Sequence, residues 1–129
     1  MHAVIQTPYF LADAKAAGVE AGELVDIVAT IARDPQAGDL IPGTGGARKV
    51  RIAAKGKGKS GGYRVITYYA SDDVPVFLLR LVSKGQRADI SQGERNEVRQ
   101  ALATIADDYR EGVRRKVRTL PAARGPRKG

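Results

Sequence analysis

Two short strands joined by a glycine-rich connection constrain the fold of this chain more than any other feature. The segment Ala47–Ala54 alternates apolar with basic residues, and a period of two predicts a β-strand. Tyr63–Ala70 predicts a second strand, and the intervening Lys55–Gly62 is a hairpin rich in Gly and Lys. Pro75–Ser83 predicts a third, mostly apolar strand after a short turn. Because short connections join neighbouring strands antiparallel, we expect the three strands to form a meander.

Helical signals lie on both sides of the meander. Thr7 followed by Pro8 is typical of a helix start, directly after a short first strand at Ala3–Gln6. Apolar residues at helical spacing predict a second helix over Glu20–Arg33. Ser91 begins an S-x-x-E capping box that predicts a C-terminal helix. The sequence therefore predicts an α+β fold in the order β-α-α-β-β-β-α, with a small antiparallel β-sheet, two N-terminal helices and a C-terminal helix.

The chain is expected to form a single domain followed by a tail. At 129 residues it is long enough for one modest core, which we place at residues 1–112. Residues 113–129 are basic and contain Pro and Gly, so we expect a partly disordered C-terminal tail. The chain begins without a leader-like segment and its longest apolar run is too short to span a bilayer, so we expect a cytoplasmic protein with no membrane partner. It has no Cys and one His, so we expect neither a metal site nor a cofactor.

Positive charge is sorted into two blocks of the sequence. The 22 Lys and Arg outnumber the 14 Asp and Glu, which gives a net charge of +8. Seven basic residues lie within Ile41–Tyr69 and seven within Val113–Gly129, and neither block contains an acidic residue. Such sorting is typical of nucleic-acid binding, because phosphates neutralise the repulsion within each block. An ordinary solvated basic surface is the alternative interpretation.

The first basic block carries three consecutive motifs. They are Pro42-Gly43-Thr44-Gly45-Gly46, Arg48-Lys49-x-Arg51, and Gly56-Lys57-Gly58-Lys59-Ser60-Gly61-Gly62-x-Arg64-Val65-Ile66. Together they resemble the HigB-like branch of the RelE/ParE toxin superfamily, whose members are toxins of bacterial type II toxin–antitoxin systems. The resemblance implies a small antiparallel sheet with flanking helices. It also implies a ribosome-associated endoribonuclease that cuts mRNA, an mRNA interferase, without a metal ion.

The same resemblance implies the partners of the protein. We expect a cognate antitoxin, which in this branch would be a helix-turn-helix protein. The other expected partners are mRNA and the ribosome. Operator DNA would be bound only through the complex with the antitoxin.

The candidate catalytic residues form a cluster of cations. Lys49 and Arg51 are two residues apart on one strand and therefore share a face of it. The resemblance adds the arginine after the hairpin and the lysine that ends the third strand, which gives Lys49, Arg51, Arg64 and Lys84. Arg64 and Arg51 are assigned to the phosphate, since a guanidinium grips two oxygens at once. Lys49 is assigned as the base or a second stabiliser, and Lys84 as a group that helps the leaving oxygen or orients the RNA.

Other basic residues near this cluster are candidates for binding the RNA backbone. They are Arg48, Lys55, Lys57, Lys59 and Arg87. The sequence departs from the family pattern at residues 84–91, where some members carry a Tyr or His and this chain has neither. Tyr63, Tyr68 or Tyr69 could substitute, so the identity of the general base stays open.

Two other functions stay open from the sequence. One is a non-catalytic module that binds RNA or DNA, which the missing Tyr or His favours. The other is a ParE-like gyrase inhibitor of the same fold, because a shared fold does not fix function. The basic cluster favours RNA cleavage over gyrase inhibition.

Overall fold

The secondary structure follows the predicted order, with one additional short strand. The computed structural model describes residues 2–53, 62–83 and 91–118. The predicted hairpin residues Lys55, Lys57 and Lys59, together with Lys84 and Arg87, lie outside these ranges. The elements in chain order are β1 (Val4–Gln6), α1 (Pro8–Ala16), α2 (Ala21–Arg33), β2 (Asp39–Leu40), β3 (Ala47–Ala53), β4 (Gly62–Tyr68), β5 (Val76–Ser83) and α3 (Gln92–Arg118).

The five strands form one mixed sheet in the order β1-β5-β4-β3-β2. The β3–β4 and β4–β5 pairs are antiparallel, which confirms the predicted meander. β1 pairs parallel with β5, with Val4 beside Val76, and β2 pairs antiparallel with β3. The α+β class is confirmed, but the sheet is not purely antiparallel. The sequence of a three-residue strand does not predict whether it pairs parallel or antiparallel. The parallel pairing of β1 with β5 instead follows from the path of the chain through α1 and α2.

Helices α1 and α2 cover one face of the sheet. Phe10 and Ile27 from the helices pack with Val65 and Leu78 from the strands in the main core, and all four are almost fully buried. Thr7 is the N-cap of α1 as predicted: its Oγ1 accepts from the Phe10 N–H at 3.3 Å. The same hydroxyl donates to the Leu78 carbonyl at 2.7 Å. One side chain therefore caps α1 and fixes it to β5.

Helix α3 packs on part of the opposite face. Leu102 is 5% exposed and packs with Ile41, Ala47 and Ile66 in a second apolar cluster. The predicted capping box at the start of α3 is confirmed, because the Ser91 N–H donates to a Glu94 carboxylate oxygen at 2.8 Å and the Glu94 N–H donates to the Ser91 hydroxyl at 3.1 Å. The position of α3 therefore determines how much of the second face of the sheet is exposed to solvent.

A pair of charged side chains fixes the middle of α3 to the β4–β5 turn. Arg110 donates from Nε to Asp73 at 2.7 Å and from Nη2 to the Ser71 hydroxyl at 2.8 Å. The helix then continues past Gly112 to Arg118, so the first residues of the predicted tail are helical. Residues 119–129 lie outside the described ranges. No helix in the described part of the chain is long and apolar enough to cross a membrane.

Candidate nucleic-acid interface

The strand register brings three of the predicted catalytic cations onto one face of the sheet. Arg51 on β3 lies directly opposite Arg64 on β4, and Lys49 lies opposite Ile66. Directly opposite residues of an antiparallel pair project to the same side, so Lys49, Arg51 and Arg64 share the face on which α3 packs. Like charges placed directly opposite one another destabilise a sheet. We call these three residues the basic face.

The cations of the basic face differ in exposure. Arg51 is exposed, whereas Lys49 and Arg64 are half-buried. The Nε of Arg64 is buried and has no hydrogen-bond partner among the described residues. A buried guanidinium N–H without an acceptor is uncommon, because an unmade hydrogen bond of a charged group is costly. Arg64 therefore carries a guanidinium donor that the described residues leave without an acceptor.

Arg80 on β5 shows the contrasting case of an arginine with a carboxylate partner. Its Nε donates to Asp13 at 2.7 Å and its Nη2 donates to the other oxygen at 3.1 Å. The hydrogen bond to Asp13 raises the pKa of Arg80 above its usual value. The Leu81 N–H also donates to Asp13, at 2.9 Å, so this pair joins α1 to β5. The guanidinium of Arg80 is therefore used in a contact that stabilises the fold, whereas the Nε of Arg64 has no hydrogen-bond partner among the described residues.

The first turns of α3 carry two arginines on the side of the sheet that also carries the basic face. Arg95 precedes Val98 and Leu102 on the stripe of α3 that packs on the sheet, and its Nε is buried. Arg110 fixes the later part of the helix at the β4–β5 turn. The Cγ of Arg99 lies 3.6 Å from where a Cβ on Gly45 would be. Sequence reasoning missed both arginines because they lie outside the two basic blocks.

The Pro42–Gly46 motif forms the turn that starts β3 beneath α3. Thr44 is fully buried, and its hydroxyl donates to the Ile41 carbonyl at 2.7 Å and accepts from the Ala47 N–H at 3.0 Å. Gly46 has a φ of 123°, and a Cβ there would lie 3.2 Å from the Tyr68 ring. The glycine is therefore needed for both its backbone conformation and its close approach. The motif fixes the start of the strand that carries Lys49 and Arg51.

A comparison with known protein families finds a match over most of the chain. The family model described as the RelE toxin of the RelE/RelB toxin–antitoxin system matches residues 2–120. The chain belongs to the RelE toxin family. Toxins of this family are paired with a cognate antitoxin and are generally endoribonucleases that cleave mRNA. The predicted superfamily is thus confirmed, while the HigB-like branch stays a prediction.

Within this RelE toxin, Arg48 lies apart from the basic face. Arg48 pairs with Thr67 across the β3–β4 ladder, so it projects to the side opposite Lys49. Its Nη1 donates to the Gly38 carbonyl at 3.1 Å. The structure therefore does not bring this predicted RNA-binding residue together with Lys49, Arg51 and Arg64.

The three tyrosines that could replace the missing Tyr or His have different positions in the RelE toxin. Tyr63 is buried on the α1–α2 side, and its hydroxyl donates to Glu23 at 3.4 Å. Burial raises the pKa of Tyr63, and the hydrogen bond to Asp72 raises the pKa of Tyr69. A raised pKa makes a tyrosine a poorer base near neutral pH. Tyr68 shares the side of the basic face but packs in the cluster beneath α3.

A cavity of about 290 Å³ opens between α2 and the ends of β3 and β4. Its lining includes Glu23 and Asp26 as well as Tyr63 and Arg51. Carboxylates repel phosphate, so this cavity suits RNA less well than the basic face does. No group of three or more His, Asp or Glu in the described ranges is placed to hold a metal ion.

Proposed function

We propose that this RelE toxin is a ribosome-associated mRNA endoribonuclease, working without a metal ion, whose catalytic cations are Lys49, Arg51, Arg64 and Lys84. The observation that carries the proposal is the pairing of Arg51 directly opposite Arg64, whose buried Nε has no acceptor in the part of the chain that the structure describes. Such an arrangement destabilises the isolated sheet and becomes favourable when a phosphate binds between the guanidinium groups.

The proposed reaction uses the 2′-hydroxyl of the RNA as the nucleophile. A base removes the 2′-hydroxyl proton, the oxygen attacks the adjacent phosphorus, and the bond to the 5′-oxygen breaks as that oxygen takes up a proton. Arg64 and Arg51 hold the two non-bridging phosphate oxygens as negative charge builds up on them. Lys49 acts as the base or as a third donor to the phosphate, and Lys84 serves the leaving oxygen or orients the RNA.

The α3 arginines extend this assignment. Arg95 lies on the sheet-facing stripe of α3 and Arg99 lies beside the Pro42–Gly46 turn, both on the side of the sheet that carries the basic face. Their proposed role is to hold the RNA strand that flanks the reacting phosphate. The hairpin lysines Lys55, Lys57 and Lys59, together with Arg87, are proposed to contact the same backbone.

The proposal implies a cellular setting. Cleavage on the ribosome would take place in the cytoplasm. The proposed antitoxin is a helix-turn-helix protein of the kind that accompanies the HigB-like branch, and operator DNA would be bound through the toxin–antitoxin complex. Cations of the basic face would then need to be covered, or held away from mRNA, while the antitoxin is bound.

A timed induction in bacterial cells without antitoxin tests the proposal. Transcript 5′ ends are mapped for wild type, for Arg64→Ala and for Arg33→Ala, an exposed arginine at the end of α2 that serves as the matched control. We expect new ends inside translated frames with wild type and Arg33→Ala, and none above background with Arg64→Ala. Growth arrest without new ends would contradict RNA cleavage and favour gyrase inhibition.

Non-catalytic binding of nucleic acid is the second candidate function. It is favoured by the engagement of Tyr63 with Glu23 and of Tyr69 with Asp72, which removes both from the basic face. In that case, induction of the folded protein would cause neither growth arrest nor new transcript ends, although the protein would bind RNA or DNA.

A further inference from the structure

Charge along α3 changes sign between its two ends. From Gln92 to Gly112 the acidic residues Glu94, Glu97, Asp107, Asp108 and Glu111 outnumber the basic residues Arg95, Arg99 and Arg110. From Val113 to Arg118 the basic residues are Arg114, Arg115, Lys116 and Arg118, and no acidic residue occurs. A helix that is merely solvated normally intersperses charges of both signs. The end of α3 is therefore a separate basic surface.

This end of the helix extends beyond Arg110, which joins α3 to the β4–β5 turn. Arg110 binds Asp73 and Ser71, and the eight residues that follow lengthen α3 by about 12 Å. The side chains of Arg114, Arg115 and Arg118 are exposed at 60%, 68% and 63%. They are therefore accessible to a large partner. We call these three residues the terminal arginine cluster.

One carboxylate orients the cluster without neutralising it. Glu111 lies 3.3 Å from Arg114, 4.0 Å from Arg115 and 3.2 Å from Arg118, as measured between carboxylate oxygens and guanidinium nitrogens. A single negative charge shared by three positive charges leaves an excess of two. Arg114 and Arg118 are four residues apart and therefore adjacent on one side of the helix.

We propose that the terminal arginine cluster binds the phosphate backbone of an RNA helix, at a site separate from the basic face. The proposed binding partner is double-stranded RNA of the ribosome, and this choice rests on the proposed function. Arg95 and Arg114 are nineteen residues apart on one helix, so the cluster lies about 28 Å along α3 from Arg95. The cluster would thereby hold the protein on structured RNA while the basic face engages the messenger.

Stabilisation of the helix C-terminus is the competing explanation for these arginines. Cations in the last turn interact favourably with the helix dipole, even at exposed positions. That role requires no partner and predicts that neutral substitutions lower helix stability without changing affinity for RNA. The two explanations therefore differ in a binding measurement.

The test measures affinity for a short blunt-ended RNA duplex by fluorescence anisotropy over a range of salt concentrations. All proteins are full-length and carry Arg64→Ala to suppress cleavage. Arg114→Gln with Arg118→Gln is compared with Lys15→Gln with Arg33→Gln, which removes the same charge from exposed positions on α1 and α2. A DNA duplex of the same sequence is measured in parallel, and circular dichroism confirms that every variant is folded.

We expect the α3 pair of substitutions to weaken binding to the RNA duplex. The slope of log affinity against log salt should become shallower by about 1.8, or 0.9 for each lost phosphate contact. The control pair should leave this slope within experimental error. An equal loss of RNA affinity in both pairs of substitutions would overturn the proposal, because net charge alone would then explain binding. A loss of affinity for the DNA duplex only would also overturn it.

The outcome of the duplex assay does not depend on whether the proposed enzymatic function is correct. If wild-type protein produces no transcript cleavage in cells but the α3 substitutions still weaken duplex binding, the enzymatic proposal fails and the RNA-binding cluster stands. If cleavage occurs and the α3 substitutions leave duplex binding unchanged, the cluster proposal fails alone.

Discussion

The buried hydroxyl of Thr44 gives the sharpest stability prediction. Thr44 is 0% exposed, and its hydroxyl is hydrogen-bonded to both the Ile41 carbonyl and the Ala47 N–H. Thr44→Val keeps the shape of the side chain and removes both hydrogen bonds. Each buried polar group left without a partner costs about 1–3 kcal/mol, so the free energy of unfolding should fall by roughly 2–4 kcal/mol. Such a loss is a large part of the stability of a small domain.

Urea denaturation followed by circular dichroism measures this loss, with two matched variants as controls. Thr30→Val removes a hydroxyl that donates to the Asp26 carbonyl at 2.8 Å on the exposed side of α2, so the free energy of unfolding should change by less than about 0.5 kcal/mol. Thr44→Ser keeps the hydroxyl and removes one methyl group, at a cost of about 1 kcal/mol. Equal stability of Thr44→Val and Thr30→Val would refute the role of the buried hydroxyl.

Two further predictions concern the contact that anchors α3 and the glycines on either side of β2. The hydrogen bond from Arg110 holds the pKa of Asp73 well below its usual range. The stability that this carboxylate contributes is therefore present above about pH 4, the pKa expected in the unfolded chain, and is lost as pH falls toward the folded pKa. Asp73→Asn should flatten the acid side of a plot of thermal midpoint against pH, and an unchanged plot would contradict the anchor. A Cβ on Gly38, which has a φ of 92°, would lie 2.4 Å from the Lys49 carbonyl oxygen, whereas Gly43, with a φ of 81°, has open space around it. Gly38→Ala should therefore lower the urea midpoint clearly more than Gly43→Ala, which carries the backbone strain alone, and equal midpoints would contradict the close approach.

Local sequence patterns predicted the elements that carry their own signals. The meander followed from the period-two alternation around Val50 and from the short connections between strands. The starts of α1 and α3 followed from Thr7 and Ser91, whose side chains make the expected capping hydrogen bonds. These features depend on neighbours within a few residues, which is why sequence reasoning was sufficient.

The features that sequence reasoning missed depend on contacts between distant residues. The two-residue strand β2 is too short to show a period, and the parallel pairing of β1 with β5 is set by the packing of two helices. The apolar stripe of α3 predicted a buried side but not the surface that buries it. The packing of α3 on the side of the sheet that carries the basic face, and the position of Arg99 beside Gly45, could therefore not be read from the sequence.

Arg48 illustrates a different limit. It was grouped with Lys49 and Arg51 because all three belong to one motif, although the strand period places Arg48 on the other side. A motif records which residues occur together in a family. Only the register shows which of them share a surface.

The most direct test of the proposed function is the single-turnover rate of mRNA cleavage on programmed ribosomes. Wild type is compared with Arg51→Ala, Arg64→Ala and the double variant. Loss of one donor to the phosphate should slow cleavage by roughly 10²–10³, and the double variant should be slowed by less than the product of the single effects, because both guanidinium groups bind one phosphate. Cleavage by Arg64→Ala at a rate close to that of wild type would contradict the assignment of the basic face as the catalytic site.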